Sequence, residues 1–270
     1  KTGQHRTQHV EVVRDGEILC GWLTKPRDRE ATNVAFYMGG RNEDVRWAED
    51  IATWLGPDWA VCTFAYRGRN GSSGVPTERA CIEDALEQLA WLSEVFGDKY
   101  NDPKTNVTII GRSIGASLAV LVANELPSSF ALENLVLISP PLGLSALAQR
   151  VPLLPTLLLP LINTRLDCYK VAGRMKANAL VLMAEHDNRV PRGHSAALGA
   201  LLGGRTTIKT IDGTDHKTLP RSTGALQAVA EFLATDVESV KTTRPTQSPA
   251  PQYKVERSGM PGDRHATQDE

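Results

Sequence analysis

The sequence lacks any marked excess of charge of either sign. Its 30 Lys and Arg side chains almost balance its 31 Asp and Glu side chains, which gives a formal net charge of −1. A domain that binds nucleic acid or a strongly anionic surface usually carries a clear excess of basic residues. We therefore expect no nucleic-acid partner, and the composition gives no sign of a strongly charged binding surface.

Cysteine is also scarce. The four residues, Cys20, Cys62, Cys81 and Cys168, form neither a C-x-x-C pair nor a group with histidine at metal-ligand spacing. A zinc site is not expected from such spacing. Cys20 and Cys62 lie in apolar runs, which favours reduced, buried thiols, although a disulfide stays open at this level.

A long uninterrupted apolar run is absent as well. The most apolar stretch, 151–162, is too short to cross a bilayer and contains Pro152, Pro155 and Pro160. No signal-peptide pattern or transmembrane segment is visible, which favours a cytoplasmic protein. The chain starts at Lys1 rather than Met, so an upstream leader or anchor stays open, and nothing indicates the oligomeric state.

What is present is an alternation of strand-like and helix-like segments from residue 10 to residue 240. Two β-rich runs flank Asp15-Gly16, which predicts an antiparallel hairpin. The apolar runs that follow alternate with helical patterns, which predicts a mainly parallel sheet of about eight strands with helices on both faces. We expect residues 1–9 to be loose and the Pro-, Ser-, Thr- and Gln-rich segment 241–270 to be a disordered tail.

The motif with the most chemical content is Gly111-Arg112-Ser113-Ile114-Gly115. It follows the apolar run 107–110 directly and opens a helical pattern over 114–125. A G-x-S-x-G between strand and helix is typical of a nucleophile elbow, where a sharp turn exposes the serine hydroxyl. The helix N-terminus, with its free N–H groups, would face a developing oxyanion. Ser113 is therefore the predicted nucleophile.

A serine nucleophile needs a base, and the base needs an orienting acid. In chains with this elbow the order is nucleophile, acid, histidine. Among six histidines, His216 lies in a polar loop after the last predicted strand, where the base should emerge. Asp187 follows the preceding strand and is the predicted acid, with Glu185 and Asp215 as rivals.

The oxyanion hole requires two backbone N–H donors. One should come from Ile114, directly after the nucleophile. The other should come from the turn 38–42 after the third strand, where glycines allow close approach to substrate. Gly40 is the first candidate and Arg41 the second.

Several further motifs resemble the BEM46-like branch of the α/β-hydrolases, near the ABHD13 and ABHD17 groups, over about residues 10–235. The resemblance rests on the acidic-Gly turn with a following Gly-Trp pair, on the stretch 66–74, on Pro76-Thr77-Glu78 and on Asp187-x-x-Val190-Pro191. It departs at Met38-Gly39-Gly40, where the family has His-Gly-Asn, at Ala116, where the family has a second glycine, and after Ile138. The resemblance implies a serine hydrolase with an α/β-hydrolase fold.

The expected function is hydrolysis of carboxylic esters through an acyl-enzyme on Ser113, without metal or organic cofactor. The substrate would be a small or lipid-like acyl compound. A short lid is expected over about 140–175, with leucines at 153, 154, 157, 158, 159 and 161 as its apolar wall. A thioesterase or acyltransferase would use the same triad. A peptidase or an epoxide or haloalkane hydrolase is disfavoured, and a non-catalytic binding protein of the same fold stays as a further alternative.

Overall fold

The computed structural model describes residues 4–41, 43–44, 47–96, 106–127, 130, 132–148 and 165–240. The remaining residues include 149–164, which carry the leucines of the predicted lid, and 241–270, the predicted tail. The leucine wall of the predicted lid and the predicted tail therefore lie outside the described residues.

Eight strands form one sheet in the spatial order β1-β2-β4-β3-β5-β6-β7-β8. β1 and β2 form an antiparallel hairpin, β2 also runs antiparallel to β4, and the strands from β4 to β8 pair in parallel. The strands are β1 His5–Arg14, β2 Glu17–Pro26, β3 Asn33–Met38, β4 Trp59–Phe64, β5 Asn106–Arg112, β6 Asn134–Ile138, β7 Asn178–Ala184 and β8 Thr206–Ile211. This confirms the predicted mainly parallel sheet with an N-terminal antiparallel hairpin.

Helices cover both faces of the sheet. They are α1 Ala48–Leu55, α2 Glu78–Phe96, α3 Ile114–Glu125, α4 Leu144–Ala148, α5 Arg192–Leu201 and α6 Thr223–Val240. Along β3, Val34 and Phe36 belong to a core shared with α2, α3 and α5, whereas Ala35 and Tyr37 belong to a second core shared with α1 and α6. Both faces of the central strands are thus buried, which explains their continuous apolar runs. No helix among the described residues is long and apolar enough to cross a membrane.

The N-terminal boundary differs from the prediction. β1 begins at His5 rather than Val10, because the polar residues 5–9 pair with the second half of β2, from His9 opposite Trp22 to His5 opposite Pro26. The hydroxyls of Thr7 and Thr24 lie 3.0 Å apart across this ladder. These residues show too little apolar alternation to be recognised as a strand, and only their partner strand defines them.

The loop between β4 and α2 carries a motif of the family resemblance, and its side chains hold the loop in place. The buried Arg67 guanidinium donates two hydrogen bonds, of 2.8 and 2.7 Å, to the Asp84 carboxylate of α2. The Ser72 hydroxyl accepts from the backbone N–H of Cys20 and donates to the carbonyl of Ala65. These hydrogen bonds therefore fix the position of the loop beside the carboxyl ends of β3 and β5.

Hydrogen bonds connect the two described ends of the segment between β6 and β7. The Leu144 N–H donates to the carbonyl of Arg165 at 2.7 Å, and the Glu78 carboxylate accepts the N–H groups of Arg165 and Leu166. Leu144 and Leu166 therefore lie beside α2 and α3, at the carboxyl edge of the sheet.

Candidate active site

The turn that carries Ser113 is strained and sterically constrained. Ser113 has φ +54° and ψ −123°, a backbone conformation that non-glycine residues rarely adopt. A Cβ at Gly111 would lie 2.5 Å from Cα of Ala116, and one at Gly115 would lie 2.2 Å from the carbonyl oxygen of Met38. Both glycines are needed for close packing of α3 against β5 and the end of β3, and this packing holds the serine in its strained position.

Three predicted residues meet at the carboxyl edge of the sheet. The Oγ of Ser113 lies 3.2 Å from Nε2 of His216, and Nδ1 of His216 lies 2.9 Å from Oδ2 of Asp187. The side chains of His216 and Asp187 are 8% and 2% exposed, so the pair is shielded from water. The residues come from the turn after β5, the loop after β7 and the loop after β8, 103 and 29 positions apart in sequence.

The two rival acids are engaged elsewhere. The Glu185 carboxylate accepts the N–H of Gly213 at 2.8 Å. The exposed Asp215 carboxylate accepts the N–H groups of Lys217 and Thr218, together with the Thr218 hydroxyl. Both carboxylates organise the loop that carries His216, and Asp187 is the one that contacts the imidazole.

The Asp187 carboxyl stays ionised despite its burial. Desolvation would raise its pKa, but hydrogen bonds from His216 and from the backbone N–H groups of Val190 and Arg189 outweigh that effect, and the net result is a lowered pKa. An ionised carboxylate accepts a hydrogen bond from Nδ1–H of His216, which leaves Nε2 free to accept a proton from Ser113.

The two donor candidates in the predicted oxyanion turn differ in whether their N–H groups are available. The N–H of Gly40 donates to the Glu43 carboxylate at 2.7 Å and is therefore occupied. In the described part of the chain, no acceptor takes the N–H of Arg41, the second candidate. Ile114 is the first residue of α3, so its N–H has no partner within that helix. The available pair is therefore Arg41 and Ile114.

Glu43 and Arg112 form a largely buried charge network that the sequence pattern did not indicate. Glu43 accepts from the Tyr37 hydroxyl at 2.8 Å and pairs with the Arg112 guanidinium, which also donates to the carbonyl of His216 at 3.1 Å. The two charged side chains are 11% and 16% exposed. The network connects the oxyanion turn, the elbow and the histidine loop. One sequence signal could have indicated this network. Arg112 lies between an apolar strand and an apolar helix, where a charged side chain requires a partner.

Ser113 opens into a cleft of about 750 Å³. Ile114, Leu118, Leu144, Leu166 and Val190 provide an apolar wall. Glu43, His216 and several basic side chains from different loops provide the polar part. An acyl chain could lie against the apolar wall with its carbonyl carbon beside Ser113.

We assign the cysteines no role in the chemistry at Ser113. All four are free thiols, and burial raises the pKa of Cys81, which lines the cleft, to about 12. Among the described residues, one group could hold a metal ion, formed by His9, Glu11 and Cys20 on the hairpin. Desolvation and the neighbouring Glu11 raise the pKa of Cys20, which disfavours the thiolate that a metal needs, and we assign no metal there.

No protein-family model matches the chain. Two Mycobacterium tuberculosis proteins, from strains CDC 1551 / Oshkosh and H37Rv and both described as uncharacterized, are 29% identical over 231 residues, which is 83% of this chain and 78% of each relative.

Solved structures of similar shape include esterases. Est1E from Butyrivibrio proteoclasticus, solved with bound ferulic acid, superposes with a TM-score of 0.69 at 16% identity, over 85% of this chain and 99% of that one. The Pyrococcus furiosus esterase Pf2001 gives 0.66 at 19%, over 85% and 92%. The Pyrobaculum calidifontis esterase gives 0.61 at 18%, over 88% and 87%. With the strand order and the hairpin described above, these likenesses show that the chain has the α/β-hydrolase fold.

Proposed function

We propose that the protein is a serine hydrolase that cleaves carboxylic esters, with Ser113 as nucleophile, His216 as general base and Asp187 as the orienting acid. The observation that carries the proposal is the continuous contact from Ser113 Oγ through the His216 imidazole to the ionised Asp187, built on a strained elbow. A serine that only capped a helix would need neither the strain nor the buried imidazole. The esterase names of several structural neighbours agree with this proposal.

In the proposed reaction, Ser113 Oγ bonds to the ester carbonyl carbon while its proton passes to Nε2 of His216. The carbonyl oxygen takes the negative charge and accepts hydrogen bonds from the N–H groups of Arg41 and Ile114. The carbon–oxygen bond to the leaving group then breaks, and His216 returns the proton to the departing alcohol. Asp187 remains ionised and stabilises the imidazolium.

An acyl group is left on Ser113 at this stage. Water then attacks the acyl carbon and gives its proton to Nε2 of His216, and the bond to Ser113 Oγ breaks as the proton returns to the serine. A thioester would follow the same steps with a thiol as the leaving group. No metal or organic cofactor enters the proposed reaction.

The decisive experiment combines labelling with turnover. A fluorophosphonate probe should label the wild-type protein, and p-nitrophenyl butyrate should be hydrolysed. Ser113→Ala should abolish both while the circular-dichroism spectrum is unchanged. Ser93→Ala is a matched control, because within the described residues the Ser93 hydroxyl donates only to the carbonyl of Leu89 in α2. Hydrolysis by Ser113→Ala within a few-fold of wild type would exclude Ser113 as the nucleophile.

We also propose that the chain falls within the BEM46-like branch, on the motifs Asp15-Gly16, Gly21-Trp22 and Asp187-x-x-Val190-Pro191. Gly21 fits this assignment structurally, because a Cβ there would lie 2.5 Å from the Phe64 ring and 2.6 Å from the carbonyl of Thr63. This glycine allows β2 to lie tightly against β4.

A further inference from the structure

The lining of the cleft above Ser113 has an excess of positive charge, although the chain as a whole does not. Five basic side chains line it, namely Arg41, Arg69, Arg112, Arg189 and Lys217. The acidic side chains in its lining are Glu43 and Glu78. The chain as a whole carries a formal charge of −1. The excess of positive charge is therefore local to the cleft, within the described residues.

Local ion pairs do not cancel this excess. Arg112 is neutralised by Glu43, and Glu78 accepts two backbone N–H groups. Hydrogen bonds from Thr218 and from the Lys217 N–H lower the pKa of the Asp215 carboxyl, and the charge of Lys217 adds a smaller effect, so Lys217 has an acidic group nearby. Arg41, Arg69 and Arg189 have no acidic partner among the described residues, whereas Arg14, Arg29 and Arg79 on other surfaces each have one. Three guanidinium groups at the cleft are thus free to bind a ligand.

The fold brings these cations together from separate loops. Arg41 follows β3, Arg69 follows β4 and Arg189 follows β7, and all three loops lie at the carboxyl edge of the sheet where Ser113 emerges. Guanidinium groups donate paired hydrogen bonds that match the oxygens of carboxylates and phosphates. Cations that surround a concave site also raise the local concentration of anionic ligands.

We propose that the preferred substrate is a small acyl ester or thioester that carries an anionic group, a carboxylate or a phosphate, near the scissile bond. This inference rests on the proposed function. The acyl carbon would lie at Ser113, the apolar part against the wall that includes Leu118 and Leu166, and the anionic group among Arg41, Arg69 and Arg189. A purely aliphatic ester would leave these three cations without a partner.

The test uses matched substrate pairs that differ in charge. For the carboxylate, 4-nitrophenyl adipate is compared with its methyl ester; for the phosphate, 2-(butyryloxy)ethyl phosphate is compared with 2-methoxyethyl butyrate. The anionic member of at least one pair should show a kcat/KM about tenfold higher or more at low salt, mainly through KM. The advantage should shrink toward one as salt rises to about 0.5 M, because salt screens exposed charges. The pair that shows the preference identifies the anionic group.

Arg69 is the variant of choice, because it takes no part in the triad or the oxyanion turn. Arg69→Gln should lower kcat/KM for the preferred anionic substrate about three- to tenfold, and Arg69→Glu should lower it further. The neutral member of the pair should stay within twofold in both variants. Arg174→Gln is the matched control, since this exposed arginine precedes the amino end of β7, opposite the cleft. It should leave both substrates unchanged.

Labelling of Ser113 by an uncharged fluorophosphonate is measured first, so that two kinds of failure are distinguished. If Ser113 is labelled and both members of each pair are hydrolysed equally well, the anionic preference is wrong and the proposed function stands. The same holds if Arg69→Gln changes the charged and uncharged substrates alike. If Ser113 is not labelled and no substrate is hydrolysed, the proposed function is wrong and this inference falls with it.

Discussion

The Asp187 carboxylate is oriented from two sides, and this makes its replacement informative. Oδ1 accepts the N–H groups of Arg189 and Val190, and Oδ2 lies 2.9 Å from Nδ1 of His216. In Asp187→Asn, the amide oxygen would keep the two backbone hydrogen bonds, so the amide NH₂ would face Nδ1. The imidazole proton would then move to Nε2, which could no longer accept a proton from Ser113. We expect turnover to fall about a thousandfold or more, with little change in KM.

The rival carboxylates give the matched controls. In Glu185→Gln and Asp215→Asn, a side-chain oxygen still accepts the backbone N–H groups that organise the histidine loop. Neither group contacts the imidazole in the structure, so both variants should retain turnover within a few-fold. Initial rates on one short-chain ester at fixed pH would measure all three variants. If turnover collapsed in Glu185→Gln or Asp215→Asn while Asp187→Asn stayed near wild type, the assignment of Asp187 as the acid would be wrong.

Single residues differ in how far the sequence could identify them. Ser113, Asp187 and His216 stand in local patterns whose order along the chain is informative, and the structure brings them together. That the N–H of Gly40 is occupied did not follow from the sequence, because its acceptor, Glu43, approaches through a turn whose path no local pattern specifies. Arg112 and Glu43 are 69 residues apart, and a pairing of that kind depends on the tertiary fold.

At the level of elements, the elbow depends on close contact between α3 and the end of β3. In Gly115→Ala, the added Cβ would lie 2.2 and 2.4 Å from the carbonyl oxygens of Met38 and Gly39, which are backbone atoms and cannot swing aside. We expect the free energy of unfolding to fall by about 3 kcal/mol. Activity should fall as well, because displacing the end of β3 moves the turn that carries Arg41.

Gly193 provides the comparison for that variant. It lies in α5, has no atom within 4 Å of an added Cβ, and does not have a positive φ. Gly193→Ala should therefore raise the free energy of unfolding by about 0.5 kcal/mol, because alanine restricts the unfolded chain and favours the helix. Urea unfolding of the two variants beside wild type measures both effects. Equal stability of the two alanine variants would contradict the steric role of Gly115.

Helices and strands could be predicted where the segment's own sequence carried the pattern of apolar residues. The buried strands β4 to β7 are apolar on both faces, and α3 begins at a sharp turn, so their types and places followed from the sequence. The start of β1 did not follow, because residues 5–9 are held by hydrogen bonds to β2 rather than by an apolar pattern of their own.

For the molecule as a whole, the ionisable groups limit stability at both ends of the pH scale. Asp187, Glu83, Asp215 and Glu231 have pKa values lowered in the folded protein, so they stabilise it above their ordinary values of about 4. That stabilisation is lost as the pH falls through the lowered values. Among the buried thiols, desolvation raises the pKa of Cys168 from 9.0 to about 12. A group of this kind stabilises the folded state below its ordinary pKa and ceases to do so as the pH rises through the raised value.

The free energy of unfolding should therefore be nearly constant between about pH 5 and pH 8 and should fall on both sides. Urea unfolding at a series of pH values measures it, with a reductant present so that thiols do not oxidise. Below pH 4, Asp187→Asn should show a shallower fall than wild type, and Asp215→Asn should deviate less, because Asp215 is only partly buried and is screened by water. Above pH 9, Cys168→Ala should show a shallower fall, even though the lost sulfur lowers its stability at every pH. A stability that keeps rising from pH 8 to pH 10 would mean that the thiols are not held protonated by burial.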